Sequence, residues 1–188
     1  MKALKAFLVA LSLMILGGAA AQAQDAVPPL TPENTLIMQL KTGRVVIQMR
    51  PDLAPRHVAR IKELVQRGFY DGLVFHRVID GFMVQGGDPT GTGRGGSGFK
   101  LPAEFSRVKH MRGTVSMARA QDPNSADSQF FICLEPQPSL DGQYTIWGQV
   151  VQGMEHVDQI KKGSRSSNGL VSQPDSIQWM KMAKDVKE

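Results

Sequence analysis

Cysteine is nearly absent: Cys133 is the only one in 188 residues. An intramolecular disulfide is therefore excluded, and an apolar core has to hold the fold. Cys133 sits in the apolar run Phe130-Phe131-Ile132-Cys133-Leu134, so it reads as a small buried residue rather than a reactive thiol. The four histidines are His57, His76, His110 and His156, and no pair has metal-binding spacing. No metal site is expected, and no Ser/His/Asp arrangement is legible. His76 reads as a hydrogen-bonded structural histidine. Long apolar runs are also missing. The longest, Ala6 to Leu16, is too short to cross a bilayer as a helix. No dense Lys/Arg run occurs and the net charge is only +5, so nucleic acid is not an expected partner.

The short apolar run is informative in its context. Lys2 and Lys5 precede it, small residues follow, and Ala21-Gln22-Ala23 fits a small-x-small cleavage site. Residues 1–23 are predicted to be a secretory signal peptide cut after Ala23, leaving no membrane attachment. Their removal leaves 20 basic against 17 acidic residues, a charge of +3. Residues 24–34, with Pro28, Pro29 and Pro32, read as a flexible leader, and residues 35–188 as one domain.

Within that domain, Leu36, Met38 and Leu40 alternate, as do Val45, Ile47 and Met49. This predicts a β-hairpin turning at Thr42-Gly43. Pro55 suits the first turn of a helix, Val58, Ile61, Leu64 and Val65 recur at helical spacing, and Gly68 ends the run. Strands are expected over 73–79, 82–86, 113–117, 129–134 and 144–150. A short helix should follow Gly153, and a closing strand should span 175–183. Many short strands with two helices suggest an antiparallel barrel or sandwich. Gly91-Thr92-Gly93-Arg94-Gly95-Gly96 satisfies G-x-G-x-x-G, yet Ser97 to Pro102 has no helical periodicity to receive a phosphate. The run is read as a loop, not a nucleotide site.

The central run is Phe75-His76-Arg77-Val78-Ile79-Asp80-Gly81-Phe82-Met83-Val84-Gln85-Gly86-Gly87-Asp88. It sets one permanently charged arginine beside Phe82 and Met83, which can line an apolar slot. A cation over a dry pocket suits a reaction that needs electrostatic help without proton transfer. This run, together with Ser128-Gln129-Phe130-Phe131-Ile132-Cys133, resembles the two signatures of the cyclophilins, peptidyl-prolyl cis/trans isomerases. The resemblance covers roughly Thr35 to Ala183.

It implies a closed eight-stranded antiparallel β-barrel capped by two α-helices, acting on unfolded or flexible proline-containing chains without a cofactor and as a monomer. It implies that Arg77 and Gln85 are catalytic. Phe82, Met83, Phe131 and Leu140 would receive the proline ring. Gln129, with Gln85, would orient the arginine and bind substrate backbone. Ala118, Arg119 and Ala120 would contact the residue before proline. Many eukaryotic relatives carry histidine at Tyr144, a further substrate-binding position, asparagine at Arg119 and tryptophan at Ser139. Ser139 removes an aromatic wall, so weak or no binding of cyclosporin A is expected. Tyr144 with Trp147 looks like the bacterial branch, which with the signal peptide implies a periplasmic protein aiding the folding of exported proteins. The alternative is a chaperone that holds proline segments without turnover.

Overall fold

The computed structural model describes residues 27–186. The predicted signal peptide and the start of the leader lie outside the described residues. From Thr31 the chain enters a 3-10 turn, Pro32–Asn34, and is tied to the domain. Lys62 Nζ donates to Asn34 Oδ1 at 2.9 Å, and Gln48 Nε2 donates to the Pro28 carbonyl.

Eight strands follow: β1 (Thr35–Leu40), β2 (Gly43–Met49), β3 (Arg77–Ile79), β4 (Met83–Gly86), β5 (Thr114–Met117), β6 (Phe130–Cys133), β7 (Ile146–Gln152) and β8 (Trp179–Met182). The helices are α1 (Pro55–Gln66) and α2 (Met154–Asp158). The predicted hairpin forms one residue earlier than expected, because Leu40 pairs with Gly43 and leaves Lys41-Thr42 as the turn. Helix α1 begins with Pro55, as its sequence implies. It ends in a Schellman arrangement: Phe69 N bonds to Leu64 O and Gly68 N to Val65 O, both at 3.0 Å. Gly68 has φ +66°, which a side chain would strain. At the helix start, Glu104 accepts from the backbone amides of Arg56 and His57 at 3.1 Å, neutralising orphan donors of the first turn. The apolar stripe of α1 packs on β8, while α2 packs on β2.

The strands form one antiparallel sheet in the order β3-β4-β6-β5-β7-β2-β1-β8. The expected closed barrel is not formed. No ladder joins the edge strands β3 and β8, so the sheet is a curled, open half-barrel. Residues 163–177 fill the seam between them. Their backbone crosses it by separate bonds, such as Val78 N to Gly169 O at 2.8 Å and Phe75 N to Asp175 O at 2.9 Å. Asn168 and Gln173 at positive φ and Pro174 interrupt any continuous ladder there. The same irregularity shortens two predicted strands: 73–79 keeps a ladder only at β3, and 175–183 only at β8. The main core lies inside the curl. Phe130 meets Trp147 edge-on at 5.9 Å between centroids and Tyr70 at 5.7 Å, and all three are fully buried.

Candidate active site

Strands β3, β4 and β6 lie side by side, and their register fixes the site. Arg77 pairs with Gln85, and Gln85 with Phe131. Residues opposite one another in a ladder share a face, so these three form a row across the sheet. Ile79, Met83 and Cys133 form the next row. Alternation turns Val84, Phe130 and Ile132 the other way, into the main core. The outward rows carry a second apolar cluster of Met83, Phe131 and Cys133, with Phe82, Ala118, Leu140 and Tyr144 packed against it. Burial in this cluster pushes the Cys133 thiol up to about 12, which leaves it protonated and unreactive.

Arg77 is half-buried at the end of that cluster. Its Nη1 donates to Gln85 Oε1 at 3.1 Å, its Nε to the Asn168 carbonyl at 3.0 Å and its Nη2 to Asn168 Oδ1 at 3.0 Å. Burial draws its pKa down, yet a guanidinium stays charged. Among the described residues no carboxylate pairs with it. Of its five N–H groups, three are committed and two remain.

The hold on Arg77 continues beyond Gln85. Gln85 Nε2 donates to Gln129 Oε1 at 2.9 Å, and Gln129 Nε2 donates to the Gly95 carbonyl at 2.8 Å. Gly95 belongs to the glycine-rich loop, which is organised around the buried Asp88. That carboxylate accepts from the amides of Thr90, Thr92, Gly93 and Gly95 and from the Thr90 hydroxyl. Burial alone would raise Asp88, but these donors outweigh it and hold the carboxyl below its ordinary range. The loop thus binds its own aspartate rather than a phosphate.

Phe131 is fixed from behind. His110 stacks on its ring at 6.3 Å between centroids, with an interplanar angle of 15°. His110 is itself held by Asp141 and by Ser116. Tyr144 meets Phe131 edge-on at 5.7 Å, and the Arg119 guanidinium lies 4.6 Å from the Tyr144 ring centroid. Arg119 also donates to the Gln143, Ala120 and Gln121 carbonyls, which keeps it at the rim.

These elements enclose a cavity of about 450 Å³. Arg77, Phe82, Met83, Gln85, Ala118, Arg119, Phe131, Leu140 and Tyr144 line it, all positions the sequence reading had named. Ala120 and Gln129 do not: they line a neighbouring cavity of about 460 Å³, which shares Gln85, Gly93, Ala118 and Arg119 with the first. Ser139 is exposed in a 3-10 turn beside Leu140 and places no aromatic ring at that position. Thr92 and Gly93 of the glycine-rich loop, which the resemblance places at the border of the groove, complete the walls together with Ser167, Asn168 and Leu170, which the sequence reading missed. The Asn168-Gly169 dipeptide is a turn signal, but nothing in the order of residues links it to Arg77.

His76 departs from expectation. It is buried and touches the cavity wall, yet neither ring nitrogen has a hydrogen-bond partner among the described residues. It precedes β3 in an irregular segment, so strand alternation does not turn it away from the site. Burial lowers the pKa of His76, as it does for His57 and His110, where Glu104 and Asp141 only partly compensate. Each native pKa lies below the ordinary 6.5, so the unfolded chain binds more protons just below that pH. The stabilisation from neutral histidine is full above about 6.5 and is lost as pH falls through the depressed native values. The carboxylates Glu104, Asp141 and Asp88 are lowered as well and lose their contribution only in more acidic solution. Thermal melts should therefore show Tm falling between about pH 7 and pH 5, with a shallower fall in His76→Leu. A flat Tm across that window would contradict this assignment.

Comparison with known proteins shows the family. The family model for cyclophilin type peptidyl-prolyl cis-trans isomerase/CLD matches residues 35–182. A probable peptidyl-prolyl cis-trans isomerase of Brucella suis is 50% identical over 189 residues, covering 94% of this chain and 95% of the relative. The crystal structure of cyclophilin AquaCyp293 from Hirschia baltica superposes with TM-score 0.74 at 26% identity, covering 93% of this chain and 83% of that one. A Cryptosporidium parvum cyclophilin, crystallised in the presence of the dipeptide Ala-Pro, superposes with TM-score 0.71 at 29% identity, covering 79% and 98%. The chain belongs to the cyclophilin-type peptidyl-prolyl cis-trans isomerase family and is an enzyme of that class.

Proposed function

We propose that the chain accelerates rotation about Xaa-Pro bonds by using Arg77 to stabilise the twisted amide. The uncatalysed rotation takes tens to hundreds of seconds, because amide resonance sets a barrier of about 18–20 kcal/mol. At the transition state that resonance is lost and the proline nitrogen becomes pyramidal and basic. A guanidinium N–H aimed at this nitrogen stabilises the transition state more than the planar ground state. The observation that carries this reading is a guanidinium with no counter-ion among the described residues, held by three hydrogen bonds at the wall of a cavity that Phe82, Met83, Phe131 and Leu140 line on its apolar side.

Ordinary turnover requires roughly 3–7 kcal/mol off the barrier. One charge-assisted hydrogen bond supplies about 1.5–3 kcal/mol. Gripping the ring therefore has to supply the remainder. In this reading Phe82, Met83, Phe131 and Leu140 hold the proline ring, and Ala118, Arg119, Ala120 and Gln129 meet the backbone on its acyl side. An isomerisation assay of wild-type and Arg77 variants on an Ala-Pro peptide tests the reading. Its result also separates an isomerase from a chaperone that only holds proline segments.

The clients are proposed to be exported proteins folding in the periplasm. The support is the basic start, short apolar run and Ala21-Gln22-Ala23 site of the N-terminus. Mass spectrometry of the protein from its native cell should find Gln24 as the first residue. A full-length species in the membrane fraction would refute export by cleavage.

A further inference from the structure

We propose that Asn168 is a positioning residue for Arg77, one that aims the guanidinium at the nitrogen of the rotating prolyl amide. The inference rests on the reading that Arg77 acts on the transition state. Asn168 alone accepts two of the three hydrogen bonds that fix the guanidinium, one on its carbonyl and one on Oδ1. Gln85 supplies the third, at the far nitrogen. With Gln85 as the sole tether, the planar group could pivot about that bond. The Asn168 fork removes the pivot and leaves the two uncommitted N–H groups in a fixed direction. A displacement of about 1 Å at a reacting group can lower a rate by two orders of magnitude, so such a hold matters to turnover.

The segment that carries Asn168 is built to present it. Asn168 has φ +54° and ψ +34°, and among the described residues Gln173 is the only other non-glycine residue at positive φ. Asparagine tolerates this left-handed conformation better than most residues. Asn168 N closes the 3-10 turn on Arg165 O at 3.1 Å, and Gly169 N bonds to Ser164 O at 2.8 Å. The turn is fastened to the free edge of β3 on both sides of Arg77. Gly163 N donates to Val78 O, Val78 N to Gly169 O and Val171 N to His76 O. A Cβ on Gly169 would lie 2.4 Å from Ile79 Cγ1, so the loop is pressed against the strand. The arginine is thus held at its base by the strand and at its tip by a loop that the strand itself anchors.

The test is a double-mutant cycle of Asn168→Gly with Arg77→Ala. Glycine accepts the left-handed backbone and keeps the carbonyl bond, so only Oδ1 is lost. Asn168→Gly should lower kcat roughly 3- to 10-fold, with KM and peptide affinity unchanged within about twofold. In the Arg77→Ala background the same substitution should change the residual rate by less than about twofold. NMR of the Arg77 guanidinium should show faster rotation about Nε–Cζ in the variant. Equal fold-losses in both backgrounds, or an unchanged kcat, or unchanged guanidinium rotation, would overturn the proposal. If Arg77→Ala itself keeps the wild-type rate, the transition-state reading fails. If Arg77→Ala is slow and Asn168→Gly is not, only the role of Asn168 fails.

Discussion

Phe130→Ala should destabilise the protein by about 3–5 kcal/mol, while the same change one residue later, Phe131→Ala, should act mainly on peptide binding. The two rings are neighbours in β6 but face opposite ways. Phe130 is fully buried between Tyr70 and Trp147, in the interior of the curled sheet. Its removal leaves a cavity among large rings that β-sheet neighbours hold in place, so little relaxation is available. Domains of this size have a total stability of only about 5–15 kcal/mol, so much of it would go. Phe131 belongs to the outer cluster and floors the cavity, where solvent and substrate can enter. Urea unfolding and peptide calorimetry on both variants separate these roles. A Phe130→Ala protein of wild-type stability, or a Phe131→Ala protein with unchanged peptide affinity, would contradict the assignment of faces.

Arg77→Ala should lower kcat and kcat/KM together by roughly 10- to 150-fold or more, with little change in peptide affinity. The range follows from losing a charge-assisted hydrogen bond of about 1.5–3 kcal/mol that is made only to the pyramidal nitrogen. Arg77→Lys should recover part of the rate. An ammonium restores the charge but cannot satisfy Gln85 Oε1 and both Asn168 oxygens from a planar fork. The fold should tolerate both substitutions, because Arg77 lies on the outer face rather than in the main core and forms no ion pair among the described residues.

The parts of the site that were legible in the sequence share a physical property: they lie close together along the chain. Arg77, Phe82, Met83 and Gln85 sit within one β-turn-β run, so two-residue alternation gives Arg77, Met83 and Gln85 a common face, and the turn just before β4 brings Phe82 beside them. The hairpin of β1 and β2 and the helix α1 were legible for the same reason, since their periodicities and end signals are local. Asn168 was not legible. It stands 91 residues from Arg77, in a segment with no periodicity, and only the pairing of 163–171 with β3 brings it there. The open seam was hidden in the same way. Whether β3 meets β8 depends on the irregular backbone between residues 163 and 177, not on the pattern of either strand. His76 shows a further limit. Strand alternation would turn it from the site, but the strand begins only at Arg77.

NMR exchange spectroscopy on an Ala-Pro peptide measures the cis/trans rate directly, without a coupled protease. With folding verified for each protein, wild-type enzyme should accelerate exchange strongly and Arg77→Ala should lose at least about tenfold of that acceleration at equal peptide occupancy. Retention of most of the wild-type rate by a folded Arg77→Ala protein would contradict transition-state stabilisation by this arginine.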